Sequence, residues 1–189
     1  MKRNVFVCGL AGSGKSSLAD DIGKSRKLKV VHTSRLLREV AGFESKSEGF
    51  WEKDKGMQFL QARMRNYELD KKLDRKLKEL ASKGGKVMDS WTMPWLWKEP
   101  KDVRIWLETS SEARARRIAK RDKIEFERAL KMVNERDDKN VRLYYSMYGM
   151  QLGKDFTPFD LILKTDSFNQ KQVFEIVDAF VKVALKAKK

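Results

Sequence analysis

The sequence predicts an α/β protein: a five-stranded parallel sheet with helices on both faces. Two observations carry this. Short apolar runs alternate along the chain with longer, charged stretches of helical period. The first apolar run passes directly through a glycine-rich turn into the first helix, with no hairpin signal between them. At 189 residues the chain is long enough for one domain with a full core.

Residues 5–10, VFVCGL, read as the first strand. Residues 15–27 read as a helix with Leu18, Ala19 and Ile22 facing inward. LKVVHT (28–33) is a second short strand, and SRLLREVA (34–41) opens a helix with Ser34 as its cap. Residues 42–67 are polar and glycine-containing, then helical, as in an insertion. Leu69, Leu73, Leu77 and Leu80 recur at helical spacing, and Gly84-Gly85 ends that helix. KVMDS (86–90) is the third strand and VRIWLE (103–108), after Pro100, the fourth. Residues 111–148 form one or two charged helices with a break near Asp122–Ile124. FDLILKT (159–165) is the fifth strand. Ser167-Phe-Asn-Gln170 matches a capping box before a last helix running from Val173 to about Lys186.

Composition narrows the setting. A single cysteine, Cys8, excludes a disulfide framework. No apolar run approaches the ~18 residues of a membrane span, and the apolar part of MKRNVFVCGL is too short for a signal peptide. A cytoplasmic monomer is the expectation. The net charge of +15 attracts polyanions, either phosphate-bearing small molecules or nucleic acid. The lysines are spread along the whole chain without interleaved aromatics, so charge alone does not choose between them.

Gly9-Leu10-Ala11-Gly12-Ser13-Gly14-Lys15-Ser16, followed by Ser17, matches G-x-x-x-x-G-K-[ST] between a strand and a helix. Glycines let successive backbone N–H groups turn toward one anion, and the helix adds the positive end of its dipole. In this pattern Lys15 bridges the β- and γ-phosphates of ATP and Ser16 ligates Mg²⁺. The motif predicts a P-loop NTPase fold.

Thr33-Ser34-x-x-x-Arg38 follows the second strand and resembles the acceptor-site segment of nucleoside monophosphate kinases. The resemblance gives Arg38 the acceptor's phosphate, which a guanidinium fork can grip bidentately. Asp89, at the end of KVMDS, resembles the Walker B acid that orients Mg²⁺ or its waters. Arg117 and Arg121 share a helix face and resemble the pair that opens the lid in that family, the first stacking on the donor base and the second reaching the phosphates. Arg136 and Arg142 resemble the lid's second half, and Arg114 and Arg116 read as surface residues. Converging arginines would stabilise charge on the transferring phosphoryl group.

Three longer stretches, ELDKKLDRKLKELASKGGKVMDS, ARRIAKRDKIEFERALKMVNERDD and YSMYG…FDLILKTDSFNQKQVFEIV, resemble archaeal-type cytidylate kinases. That resemblance spans nearly the whole chain. It implies a core of residues 1–41, 83–116 and 143–189, a monophosphate-binding insertion at 42–82 and a lid at 117–142. It also implies γ-phosphate transfer from ATP–Mg²⁺ to CMP or dCMP. Asp70 and Asp74 lie on one helix face and could accept from a cytosine amino group, or pair with neighbouring cations such as Lys78. One departure is specific: Trp91 stands where members of that group carry an arginine. Transfer to AMP or another small acceptor, and an ATPase acting on RNA or ribonucleoprotein, remain the alternatives.

Overall fold

The computed structural model describes residues 2–43 and 54–187; residues 44–53 of the expected insertion lie outside them. Strands β1 (Val5–Gly9), β2 (Lys29–His32), β3 (Lys86–Asp89), β4 (Val103–Glu108) and β5 (Leu161–Lys164) form one sheet in the order β2-β3-β1-β4-β5. All four pairings are parallel. The helices that cross between them are α1 (Lys15–Arg26), α2 (Thr33–Val40), α3 (Asp54–Arg65), α4 (Glu68–Ser82), α5 (Met93–Leu96), α6 (Ser111–Asp122) and α7 (Phe126–Tyr148), and α8 (Gln170–Ala184) closes the chain.

The central strand β1 is buried on both faces, which is why it reads as a continuous apolar run. Val5 and Val7 point to one side and pack with Leu18, Ala19 and Ile22 of α1 and Val173, Val177 and Val181 of α8. Phe6 points to the other, with Met88 of β3, Leu37 of α2 and Leu73 and Leu77 of α4. Cys8, on that same side, packs with Trp106 of β4, Leu60 of α3 and Leu143 and Tyr144 of α7. The period-2 alternation of side chains thus joins two helical layers to one sheet.

At the amino-terminal end of the sheet Asn4 is fully used. Its backbone N–H donates to Asp102 Oδ1 (2.6 Å), and its side-chain amide to Asp102 Oδ2 (2.8 Å) and Ala81 O (2.9 Å). Its carbonyl oxygen accepts from the Lys86 N–H (3.2 Å). This end is pinned; the opposite end carries the cavity. The chain leaves β1 toward β2 and later crosses to β4 on β1's other side, so the sheet order reverses there and leaves a crevice at the carboxyl ends of the strands.

Several boundaries differ from expectation. Helix α2 starts at Thr33, with His32 rather than Ser34 in the N-cap position and no side-chain cap. Asp89 of the neighbouring strand does the capping instead, its Oδ1 accepting from the Thr33 N–H at 2.8 Å. The capping box of α8 is Asn169–Gln172, two residues later than Ser167–Gln170. By contrast, the break in 111–148 falls where expected, at Lys123, which adopts the left-handed conformation at φ 53°. The short helix α5, with Pro94 in its first turn, has no periodic signal in the sequence.

Candidate active site

A cavity of about 570 Å³ occupies that crevice. The turn after β1 builds its floor. Gly9 takes φ 150°, and a Cβ there would come within 2.5 Å of Ser13 Oγ and 2.8 Å of Leu107 O. Gly14 takes φ 91°, and a Cβ there would project into open space. Residues Ala11 to Ser17 line the cavity, whereas Gly9 and Leu10 support the turn from behind: Leu10 O accepts from the Ser13 N–H at 3.2 Å and from Lys15 Nζ at 3.3 Å. Ser13 Oγ and Thr33 Oγ1 are buried in the cavity wall and have no hydrogen-bond partner among the described residues. Buried hydroxyls left in this way mark a place for a polar ligand.

Lys15 lies over the ring of Trp91, with Nζ 5.5 Å from the centroid. Burial pushes its pKa down to about 8, against the opposing pull of Asp89. Trp91 itself packs edge-on to Tyr144, with 5.8 Å between centroids. The position that departs from the resembled family therefore forms the wall beside the phosphate-loop lysine.

Asp89 ends β3 opposite Val7 and His32. Its Oδ2 bonds His32 Nδ1 at 2.8 Å, and His32 Nε2 reaches Asp20 Oδ1 at 3.1 Å. The hydrogen bond to Asp89 raises the pKa of His32 despite its burial. Residue types alone gave no reason to link Asp20, His32 and Asp89, because the link depends on the β2–β3 register. Ser16 and Asp89 line the same cavity, and a hydroxyl with a carboxylate is the oxygen donor set that Mg²⁺ takes. Among the described residues no group of three or more His, Cys, Asp or Glu could cage a metal.

Thr33, Ser34 and Arg38 of α2 also line the cavity, and Arg38 is buried at 8% exposure. Asp74 joins them from α4. Its Oδ1 accepts from Thr92 Oγ1 (2.7 Å) and its Oδ2 from the Tyr148 hydroxyl (2.6 Å). Burial raises its pKa, partly offset by these two bonds. Asp70 does not line the cavity: it is buried one turn away and holds Arg63 in a two-point ion pair.

The cationic side is built by α6 and α7. Arg136, Asn140 and Tyr144 are spaced four residues apart on α7, so one face of the helix presents all three to the cavity. Arg142 is exposed and does not line it, because two residues from Asn140 is about 200° around the helix. Arg121 lies at the rim, its fork on Asp122 at 2.7 Å. Arg117 lines the cavity and donates to Ser13 O (3.2 Å) and Thr165 O (2.8 Å), tying the phosphate loop to the end of β5. Arg116 is exposed as expected, but Arg114 is not a surface residue. It is 4% exposed, donates to Ala11 O (3.1 Å) and Thr109 O (3.0 Å), and pairs with Asp137 at 2.7 Å. Its charge braces the loop from below.

Arg63 also lines the cavity and was missed, because it lies in a segment with no motif. Its one signal is helical phase: three residues after buried Leu60, it faces the same way.

The family model described as an AAA domain matches residues 5–141. The chain is 32% identical over 185 residues to a cytidylate kinase of Sulfurisphaera tokodaii, covering 96% of each chain. It is 35% identical over 164 residues to a cytidylate kinase of Pyrobaculum neutrophilum, covering 85% of this chain and 83% of that one. Among solved structures, shikimate kinase from Bacteroides thetaiotaomicron superposes with a TM-score of 0.61 at 12% identity, over 98% of this chain and 99% of that one. An uncharacterized protein from Eubacterium ventriosum gives 0.63 at 15%, over 95% and 98%. These last two show the fold alone. With a phosphate loop and a cationic helix face lining one cavity, and relatives aligned along nearly its whole length, the chain belongs to the nucleoside monophosphate kinases, in the cytidylate kinase group, and is an ATP-dependent phosphotransferase.

Proposed function

We propose that the protein transfers the γ-phosphate of ATP–Mg²⁺ to CMP or dCMP. One observation carries the reading: Gly12–Ser17, Arg38 and Asp74 line a single cavity, so donor and acceptor can meet within it. Lys15 and the amides of the loop take the triphosphate, and Arg38 holds the acceptor's phosphate. Arg136 and Arg121 neutralise charge on the transferring group, and Arg117 keeps the loop in shape. Asp74 accepts from the exocyclic amino group of cytosine. Mg²⁺ arriving with ATP would be held by Ser16 and Asp89 and would supply charge to offset that of the phosphates. Residues 117–142 act as the lid, closing over both nucleotides and excluding water.

Buried Cys8 suits a reducing, cytoplasmic setting. Among the described residues no helix is long and apolar enough to cross a membrane. The test is a panel of monophosphates with ATP and Mg²⁺. CMP and dCMP are expected to give the highest kcat/KM. Turnover confined to AMP overturns the acceptor assignment. ATP hydrolysis stimulated by RNA, with no monophosphate turned over, overturns the kinase reading.

A further inference from the structure

A buried arginine on the acceptor side of the cavity has no role in the chemistry described so far. Arg63 is 4% exposed. Its Nε donates to Asp70 Oδ2 (3.0 Å), and its Nη2 to Asp70 Oδ1 and to the Tyr144 hydroxyl (3.1 Å). Nη1 has no hydrogen-bond partner among the described residues, and the side chain lines the cavity with Asp74, Trp91 and Tyr144. The plane of the guanidinium is thus fixed from behind by two groups, leaving one nitrogen for a ligand.

We infer that Arg63 is a base-recognition residue, donating through Nη1 to a ring acceptor of the pyrimidine while Asp74 accepts from the adjacent amino group. This rests on the cytidylate reading above and deepens it. Charge decides between base and phosphate. Asp70 neutralises Arg63, and Asp74 adds a carboxylate one helical turn away, so this corner carries no surplus of positive charge to draw a phosphate. Phosphate is served elsewhere by Lys15, Arg38 and Arg136. An N–H donor beside a carboxylate complements an edge that offers an acceptor beside a donor, as cytosine does with O2 or N3 and its amino group; a phosphate offers acceptors only. Trp91 and Tyr144 supply flat apolar walls for a ring.

Truncating Arg63 alone would strand the Asp70 carboxylate in the core. The test is therefore the double substitution Arg63→Met with Asp70→Leu, which removes the buried pair whole and is tolerated far better by a core. The expected result is a KM for CMP raised on the order of 10–100-fold, with the KM for ATP and the inhibition constant of ribose 5-phosphate unchanged. An unchanged KM for CMP overturns the inference, and so does equal weakening of CMP and ribose 5-phosphate, which would place the contact on the phosphate. A double variant that does not fold moves the test to the unsubstituted protein. There the assigned Arg63 Nε–H resonance is expected to shift on adding CMP and to stay put with ribose 5-phosphate; no shift with CMP overturns the inference. Absence of any monophosphate turnover by the unsubstituted protein defeats the functional reading itself. Turnover with a normal KM for CMP in the double variant defeats only the role of Arg63.

Discussion

Lys15 carries the sharpest single-residue predictions. Truncating it to alanine removes one phosphate-directed charge from a closed site, which costs on the order of 10²–10³ in kcat. The melting temperature should hold, because among the described residues the side chain makes one long hydrogen bond and one ring contact, and its attraction to Asp89 is outweighed by the cost of burying its charge. Its acidity gives a second test. In the empty site burial lowers its pKa to about 8, from 10.5. A bound triphosphate favours the charged form and raises that value again, so binding above about pH 8 takes up a proton. ATP affinity is therefore full below about pH 8 and declines as pH rises through it. Calorimetry at about pH 8.5 in two buffers of different ionisation enthalpy should report the uptake. Stability of the nucleotide-free protein runs the other way. The unfolded chain holds the Lys15 proton longer, so the cost of burying the charge is relieved between about 8 and 10.5. On the acceptor side, Arg38→Ala should raise the KM for CMP at least tenfold while leaving that for ATP within about twofold, since the role proposed for Arg38 is to hold the acceptor alone.

At the scale of elements, the cavity is held by braces the chemistry does not use. Arg114 links α6 to the phosphate loop and to Asp137 of α7. Asp137 already has its pKa raised by burial, against the pull of Arg114. Replacing Arg114 by alanine leaves that carboxylate alone beneath the loop, with an expected loss of about 3 kcal/mol in urea unfolding. The α6–α7 turn offers the opposite sign. Lys123 sits at φ 53°, where a side chain crowds the following carbonyl. Lys123→Gly should stabilise the protein by about 0.5–1 kcal/mol, unless added freedom in the unfolded chain consumes the gain. A fall in stability would show that the turn is set by packing of α6 on α7 rather than by its own backbone.

The whole molecule carries a net charge of +15, and both nucleotides are anions. Long-range attraction of that kind is screened within about 10 Å at 0.1 M salt. Raising salt from about 0.05 to 0.5 M should slow ATP association several-fold and change dissociation much less, which stopped-flow mixing resolves.

Much of the molecule was legible in its sequence, and the reason is local. A strand buried on both faces must be apolar, a loop that wraps phosphate must carry glycines at set spacing, and a helix must show its period. These rules gave five strands, the parallel sheet and Gly9–Ser17, because each depends on neighbours within one turn or one strand. What only the tertiary structure decided depends on pairs far apart in sequence. Asp70 and Asp74 look alike on one helix face, yet one is spent on Arg63 and the other faces the cavity between Thr92 and Tyr148. Arg114 and Arg142 exchange their expected places, the first buried and the second exposed, because helix rotation relative to the sheet follows from packing. His32 meets Asp89 only through strand register. Local chemistry specifies which residue types a segment needs. Long-range packing specifies which of several equivalent charges is brought to the substrate and which is consumed in holding the others still.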